Sequence, residues 1–103
     1  MLENKRILVT GGTGSLGQVL VRRLLMGELG EPRKVIVFSR DEAKQHDMRM
    51  DYMHFRSATD EIIYRNFEQL LEFRIGDVRD FHSISAVLRD VHVVFNAAAL
   101  KQV

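Results

Sequence analysis

A glycine-rich segment between an apolar run and an amphipathic one limits what this chain can fold into. Residues 9–17 read VTGGTGSLG. The run that leads into this segment, Arg6–Thr10, is short, apolar and rich in β-branched residues, which is typical of a strand buried on both faces. Apolar residues at helical spacing follow from Ser15 to about Leu29. The glycines therefore join a buried strand to a helix, and Gly30 and Pro32 should end that helix.

Three further apolar runs alternate with helical stretches along the chain. The predicted strands after the first are 34–38, 71–75 and 91–95. Predicted helices run from Asp41 to about Phe55, from about Asp60 to Leu70, and onward from a cap at Asp80. Apolar strands that alternate with helices favour a parallel sheet with right-handed crossovers. We therefore predict an α/β fold, a Rossmann-like parallel sheet of about four strands with helices on both faces.

The spacing of the glycines predicts a turn that binds phosphate. Gly11 would permit the tight turn off the strand, Gly14 would let the backbone approach a pyrophosphate, and Gly17 would let the helix pack against the strand with no Cβ in the way. The phosphates would meet free N–H groups and the positive end of the helix dipole near Ser15 and Leu16. A plain loop with surplus glycine is the alternative, but a strand before it and a helix after it favour dinucleotide binding.

The end of the second predicted strand should read the ribose of such a dinucleotide. An acidic residue there would accept a hydrogen bond from a 2′-hydroxyl and repel a 2′-phosphate. This strand ends instead in Ser39 and Arg40, with Lys44 one helical turn further on. A hydroxyl and two cations suit a phosphate, which favours NADP over NAD. The alternative is that the cations are solvated and that Asp41 or Glu42 holds the ribose.

Small and acidic residues follow the third and fourth predicted strands. Asp77 could accept from an adenine amino group while Val78 packs on the ring, because this edge of a parallel sheet faces the ligand. We interpret Asp80 as a helix cap and not as a ligand. After the fourth strand, residues 97–99 are all alanine, which would let a ribose or nicotinamide lie against the backbone. A plain tight turn is the alternative there.

The bulk composition excludes several classes of function. The 103 residues are enough for one domain, and 15 basic against 14 acidic side chains give a net charge of +1. This balance offers no electrostatic basis for binding nucleic acid or an anionic membrane. The sequence has no cysteine, its histidines show no ligand spacing, and its first residues resemble neither a signal peptide nor a membrane span. We therefore expect a cytoplasmic protein with no metal, no nucleic acid and no membrane partner.

Four motifs together resemble a known group of enzymes. TGGTGSLG, FSRDEAKQ, GDVRD and NAAALKQV resemble the extended short-chain dehydrogenase/reductase superfamily and, within it, the bacterial polysaccharide-biosynthesis branch of UDP-N-acetylglucosamine 4,6-dehydratases and nucleotide-sugar epimerases. The resemblance covers Ile7 to Val103 and implies NADP(H), with NAD as the alternative, and a UDP-sugar substrate. Lys101 is a candidate for contacting the substrate or the nicotinamide, with a solvated terminal lysine as the alternative. The residues that the resemblance places at the cofactor are Thr10, Gly11, Thr13, Gly14, Ser15, Leu16, Gly17, Ser39, Arg40, Lys44, Asp77, Val78, Ala97, Ala98 and Ala99.

The catalytic Tyr-x-x-x-Lys motif of that superfamily is absent. Tyr52 is followed four residues later by Arg56, and Tyr64 by Glu68. Members of the family run to about three times this length, as expected when a cofactor domain carries a separate substrate region. We therefore expect residues 1–103 to form a truncated N-terminal dinucleotide-binding (Rossmann) domain that lacks the catalytic and substrate-binding part, contains no catalytic residue and is inactive alone.

Three functions fit the resemblance. The first is the NADP(H)-binding portion of a nucleotide-sugar 4,6-dehydratase, a lyase that acts on a UDP-N-acetyl-amino sugar in bacterial polysaccharide biosynthesis. There a hydride leaves C4, water is lost across C5 and C6, and the hydride returns to C6. The alternatives are a nucleotide-sugar 4-epimerase and a non-catalytic dinucleotide-binding module. An open sheet edge after the fourth predicted strand favours self-association, so we expect a homo-oligomer.

Overall fold

Parallel strands and helices alternate through the part of the chain that the structure, a computed structural model, describes, namely residues 1–54 and 61–97. The strands form one parallel sheet in the order β3–β2–β1–β4. The predicted α/β, Rossmann-like parallel sheet is confirmed. In chain order the elements are β1 (Arg6–Thr10), α1 (Ser15–Leu25), β2 (Lys34–Ser39), α2 (Glu42–His54), α3 (Glu61–Leu70), β3 (Leu71–Ile75), α4 (Phe81–Leu88) and β4 (Val93–Asn96).

Helices cover both faces of the sheet because the central strands carry apolar side chains on both faces. On one face, Ile7 and Val9 of β1 pack with residues of α1, α2 and α3. On the other face, Leu8 of β1 packs with Ile36 and with Val87 of α4. The chain changes face between β3 and β4, so the strand order reverses between β1 and β4. Ligands of open α/β sheets bind beyond the carboxyl ends of the strands at such a reversal.

Helix α1 ends earlier than the sequence predicts. The predicted end was near Leu29, with Gly30 as one of the terminating residues, whereas α1 stops at Leu25. Gly27 adopts a φ of +78° and donates its N–H to the carbonyl of Leu24 at 3.1 Å. This left-handed glycine is a common way to end a helix, and it ends α1 before Gly30 is reached.

Strand β4 begins two residues later than predicted. The predicted strand was 91–95, whereas β4 spans Val93–Asn96. Val91 donates its N–H to the carbonyl of Leu88 at 3.2 Å, so this residue still belongs to the turn that follows α4. Elsewhere the predicted bounds hold to within one residue, although residues 55–60, where α2 and α3 were predicted to meet, lie outside the described residues.

Asp80 is the N-cap of α4, as the sequence predicts. Its side chain accepts a hydrogen bond from the backbone N–H of His82 at 3.0 Å. This satisfies one of the donors that a helix leaves open at its first turn. Among the helices of residues 1–54 and 61–97, none is both long enough and apolar enough to span a bilayer.

Candidate functional site

A cleft of about 450 Å³ lies at the carboxyl ends of β1, β2 and β3. Its walls come from the glycine turn after β1, from the residues that follow β2, and from the loop between β3 and α4. Open α/β sheets bind ligands at this edge, and β1, whose turn lines the cleft, is one of the two strands at the reversal of strand order. The lining residues are Gly11, Thr13, Phe38, Ser39, Arg40, Asp41, Lys44, Gly76, Asp77, Val78 and Arg79.

A second cavity of about 520 Å³ lies at the opposite end of the sheet, near the amino ends of β1, β2 and β4. Although it is larger, it contains neither the glycine turn nor any residue predicted to bind a cofactor. We assign the candidate site to the smaller cleft because the carboxyl ends of parallel strands, and not their amino ends, form ligand sites. The second cavity is lined by Arg6, Arg33, Arg89, Asp90, Val91 and His92.

The geometry of the turn after β1 requires glycine at two of the predicted positions. Gly11 has a φ of +69°, a conformation that other L-residues rarely adopt. A Cβ on Gly17 would overlap the carbonyl oxygen of Gly11 and would lie 2.6 Å from the Cα of Gly12. Gly17 therefore makes a close approach that excludes a Cβ, but its partner is the backbone of the turn, whereas the predicted partner was the strand. Gly12, which the spacing argument left out, has room for no Cβ either, since one would lie 2.9 Å from a methyl group of Val37.

The amino end of α1 lies beside this turn and has unsatisfied donors. Gly14 is the N-cap in an extended conformation, and the structure shows no side-chain cap there and no acidic residue in the first turn. The first N–H groups of a helix have no partner within the helix, and the helix dipole adds positive potential at the same place. Ser15 and Leu16 are exposed at this end. An anionic group such as a pyrophosphate matches these properties.

Gln45, which the sequence analysis missed, holds the Ser39 side chain at the end of β2. Its buried amide donates to Ser39 Oγ at 3.0 Å and to the carbonyl of Arg74 at 2.9 Å. The carbonyl partner accepts only, so it fixes which end of the amide is the donor. Because Ser39 Oγ accepts this bond, its own hydrogen remains available to a ligand oxygen. Two signals in the sequence could have identified it: Gln45 ends the FSRDEAKQ motif, and it lies at helical spacing with the buried Met48 and Tyr52 of α2.

The alternative ribose ligands, Asp41 and Glu42, have other surroundings. Asp41 lines the cleft, but its Oδ1 accepts the backbone N–H of Lys44 at 3.0 Å and so caps α2. Glu42 is exposed and does not line the cleft. The cleft brings Ser39, Arg40 and Lys44 together at the end of β2, which is the set of groups predicted for a 2′-phosphate.

Asp77 lies opposite these cations and is bound by two arginines. Its carboxylate accepts from Nη2 of Arg79 at 2.8 Å and from Nε at 3.1 Å, and Arg40 Nη1 lies 3.5 Å away. The hydrogen bonds from the Arg79 side chain, then that from its backbone N–H, hold the pKa of Asp77 far below its usual range, and the charges of both arginines add to the effect. Arg79 was not among the predicted site residues.

Several predicted cofactor residues lie outside this cleft. Thr10 is buried at the end of β1, where its hydroxyl donates to Asn96 Oδ1 at 2.8 Å and ties β1 to β4. Gly14, Ser15, Leu16 and Gly17 belong to the adjoining start of α1. Ala97 is buried directly after β4. Ala98, Ala99 and Lys101 lie outside the described residues.

The sequence also matches a known family over almost its whole length. Residues 7–103 match the family described as "Polysaccharide biosynthesis protein". The chain belongs to this family. Together with the relatives below, this match supports membership in the extended short-chain dehydrogenase/reductase superfamily that the motifs indicated. Within the described residues of this family member, no group of three or more histidine, aspartate or glutamate side chains could hold a metal ion.

Curated relatives of this family member are longer proteins. Two are named UDP-glucose 4-epimerase: one from Rickettsia bellii (strain OSU 85-389), 41% identical, and one from Rickettsia prowazekii (strain Madrid E), 38% identical. Each alignment covers 100% of this chain and 26% of the relative. The X-ray structure of Pen from Bacillus thuringiensis superposes with a TM-score of 0.68 at 25% identity, over 92% of this chain and 24% of that chain. The chain thus spans about a quarter of the length of the curated relatives it matches.

Tyr52, one of the two tyrosines compared with the family's catalytic motif, is a core residue. Its side chain is 5% exposed, and its ring stacks on Phe67 with the centroids 5.4 Å apart. Burial raises the pKa of Tyr52 to about 12. The phenol therefore stays protonated near neutral pH and lacks the pKa of a general base.

The raised pKa of Tyr52 predicts a loss of stability at alkaline pH. In the unfolded chain this phenol ionises near pH 10, so between about pH 10 and 12 the unfolded state releases the proton first and stability falls. Tyr52→Phe should make this decline shallower by about 2 kcal/mol over that interval. Urea unfolding of both proteins at pH 8, 10 and 11.5, followed by circular dichroism, measures the difference. Parallel declines in the two proteins would show that Tyr52 does not ionise as burial requires.

Proposed function

We propose that the cleft binds NADP(H) and that the chain is the cofactor-binding portion of a nucleotide-sugar 4,6-dehydratase acting on a UDP-N-acetyl-amino sugar. The observation that carries the cofactor assignment is the end of β2. A carboxylate at that position would select NAD, whereas here a serine with an available hydroxyl hydrogen lies beside Arg40 and Lys44. The family supplies the substrate class, because its relatives carry names of nucleotide-sugar enzymes.

The remaining groups of the cleft fit the other parts of a dinucleotide. The turn at Gly11 and the uncapped start of α1 offer N–H donors to a pyrophosphate. Val78 is 49% exposed and presents an apolar surface beside Asp77, as an adenine ring requires. A bound dinucleotide would supply a reversible hydride acceptor for C4 of the sugar. The chain's own contribution is to hold and orient the dinucleotide, since we propose no proton transfer by any of its described residues.

A 4-epimerase is the second candidate, and the names of the relatives favour it. The two Rickettsia proteins are both called UDP-glucose 4-epimerase. Epimerisation and 4,6-dehydration both begin with removal of hydride from C4, so the cleft serves either reaction. Product analysis by NMR with the whole protein separates them: a 4-keto-6-deoxy sugar supports the dehydratase, and an inverted C4 supports the epimerase. No turnover of UDP-N-acetylglucosamine or UDP-glucose would favour the non-catalytic module.

The cofactor assignment predicts a measurable preference between the two dinucleotides. We expect NADP⁺ to bind about tenfold more tightly than NAD⁺, because charge-assisted hydrogen bonds to a 2′-phosphate are partly exposed here. Arg40→Ala should bring the ratio close to one with little change in NAD⁺ affinity. Titration calorimetry with both cofactors gives the ratio directly. Arg23→Ala is the matched control, since Arg23 is an exposed arginine that pairs with Glu28 outside the cleft.

Two results would contradict this assignment. Equal affinity of the wild-type protein for the two dinucleotides would show that the cleft does not recognise the 2′-phosphate. If the ratio of NADP⁺ to NAD⁺ affinity is unchanged in Arg40→Ala but falls in Arg23→Ala, the phosphate lies away from the end of β2.

A further inference from the structure

Charged side chains of both signs surround the open side of the cleft. Arg40, Lys44 and Arg79 line it together with Asp41 and Asp77. The cations therefore outnumber the carboxylates by only one. An anionic ligand gains more from this site when the carboxylates are already neutralised by neighbours that the ligand does not need.

The contacts of Asp77 show that its two arginines are not equivalent. Arg79 binds the carboxylate through two side-chain nitrogens and through its backbone N–H at 2.9 Å. Arg40 makes one longer contact, 3.5 Å from Nη1 to Oδ2. A bidentate guanidinium matches the geometry of a carboxylate and uses most of its acceptor sites. Arg79 therefore takes most of the carboxylate, and Arg40 is held only at its edge.

We propose that Arg79 determines cofactor specificity: by occupying Asp77, it leaves Arg40 free to bind the phosphate monoester on the ribose of the ligand. The identity of that ligand, NADP(H), rests on the function proposed above. Arg79 does not need to touch the phosphate in order to act. It is a positioning residue that works through Asp77 on Arg40.

Loss of Arg79 would change the site in three ways, and each of them would weaken the binding of a 2′-phosphate. Asp77 would draw Arg40 into a full ion pair, its unneutralised charge would repel a phosphate, and one cation would be lost from the cleft. Without Arg79 the carboxylate still stays ionised in the neutral range, because an ordinary aspartate has a pKa of about 3.9. A ligand with a bare 2′-hydroxyl meets none of these penalties. Each exposed pair is weak and screened by salt, but here the effects add.

The test is the ratio of NADP⁺ to NAD⁺ affinity in Arg79→Met, measured by titration calorimetry at low salt. Methionine removes the charge and keeps most of the aliphatic stem, and the Arg79 side chain is 73% exposed, so the fold should survive. We expect the ratio to fall about fivefold while NAD⁺ affinity stays equal or rises. Arg23→Met is the matched control, because it breaks another arginine–carboxylate pair outside the cleft, in which the arginine side chain is 64% exposed. Melting temperatures of both variants confirm that each is folded.

A second background isolates the mechanism. In Asp77→Asn, no carboxylate remains to capture Arg40, so adding Arg79→Met should lower the ratio less than about twofold. An equal fall in both backgrounds would show that Arg79 acts directly on the ligand and would overturn the positioning role. A wild-type preference that Arg79→Met leaves intact would overturn the inference alone. A wild-type ratio of one would overturn the NADP(H) assignment, and the role of Arg79 with it.

Discussion

Ser39→Asp will invert the preference of the cleft, from about tenfold for NADP⁺ to about tenfold for NAD⁺. An aspartate at the end of β2 places a negative charge where the 2′-phosphate would lie, and like charges in contact cost far more than a lost hydrogen bond. The same carboxylate accepts from the 2′-hydroxyl of NAD⁺. It also accepts from the Gln45 amide, as the serine does now, so the end of β2 should keep its structure.

Ser39→Asn tests whether the effect of Ser39→Asp comes from the negative charge of the aspartate or from the shape of its side chain. Asparagine keeps an acceptor for Gln45 but carries no charge, so it should lower the preference for NADP⁺ without inverting it. Calorimetric titration of both variants with both cofactors measures the two ratios. If Ser39→Asp still prefers NADP⁺, the phosphate does not lie beside residue 39, and the proposed orientation of the dinucleotide is wrong.

Gly17→Ala will destabilise the protein by about 3 kcal/mol and abolish dinucleotide binding. The new Cβ would overlap the Gly11 carbonyl and press on Gly12, and both atoms belong to backbone that cannot rotate away. In an ordinary helix the same change stabilises by about 1 kcal/mol, because alanine is a better helix former than glycine. The sign of the effect is therefore diagnostic of the close contact between α1 and the turn.

Val19→Ala is the matched control for this substitution. Val19 lies on the same helix and is 56% exposed, so its truncation should change stability by about 0.5 kcal/mol or less. Urea unfolding at pH 7 gives both free energies, and calorimetry with NADP⁺ reports on the turn. A Gly17→Ala protein as stable as the wild type would mean that the turn relaxes at no cost and does not constrain the phosphate site.

Strands β1 and β2 were predictable from the sequence because each is an apolar run bounded by glycine or by charge. Leu8 and Ile36 are buried on one face of the sheet, and their neighbours in the strands are buried on the other. A continuous run of apolar residues therefore indicated these strands, and an alternation of apolar and polar residues did not. The end of α1 was not predictable in the same way. Gly27 lies between Met26 and Glu28, two residue types that favour helix, and only its positive φ shows that the helix has ended before it.

The site was predictable to the extent that it depends on strand ends. Ser39 and Asp77 follow different strands, and the carboxyl ends of parallel strands meet at one edge. Gln45 and Arg79 escaped prediction because their roles depend on tertiary partners. Gln45 reaches the carbonyl of Arg74, 29 residues away, and neither propensity nor local spacing identifies such a contact.

The amide of Gln45 has a consequence for any attempt to transfer the proposed cofactor preference to another protein. It bonds to Ser39 and, across the sheet, to the backbone of β3, so the direction of the serine hydroxyl depends on the register of a neighbouring strand. If Ser39 and Arg40 alone were transferred, the hydroxyl and the guanidinium would be present, but the hydrogen bonds from Gln45 that orient the hydroxyl would be missing. A successful transfer would therefore need three parts: the end of β2, the buried position of Gln45 in α2, and the backbone of β3. Folding of the whole sheet brings these parts together.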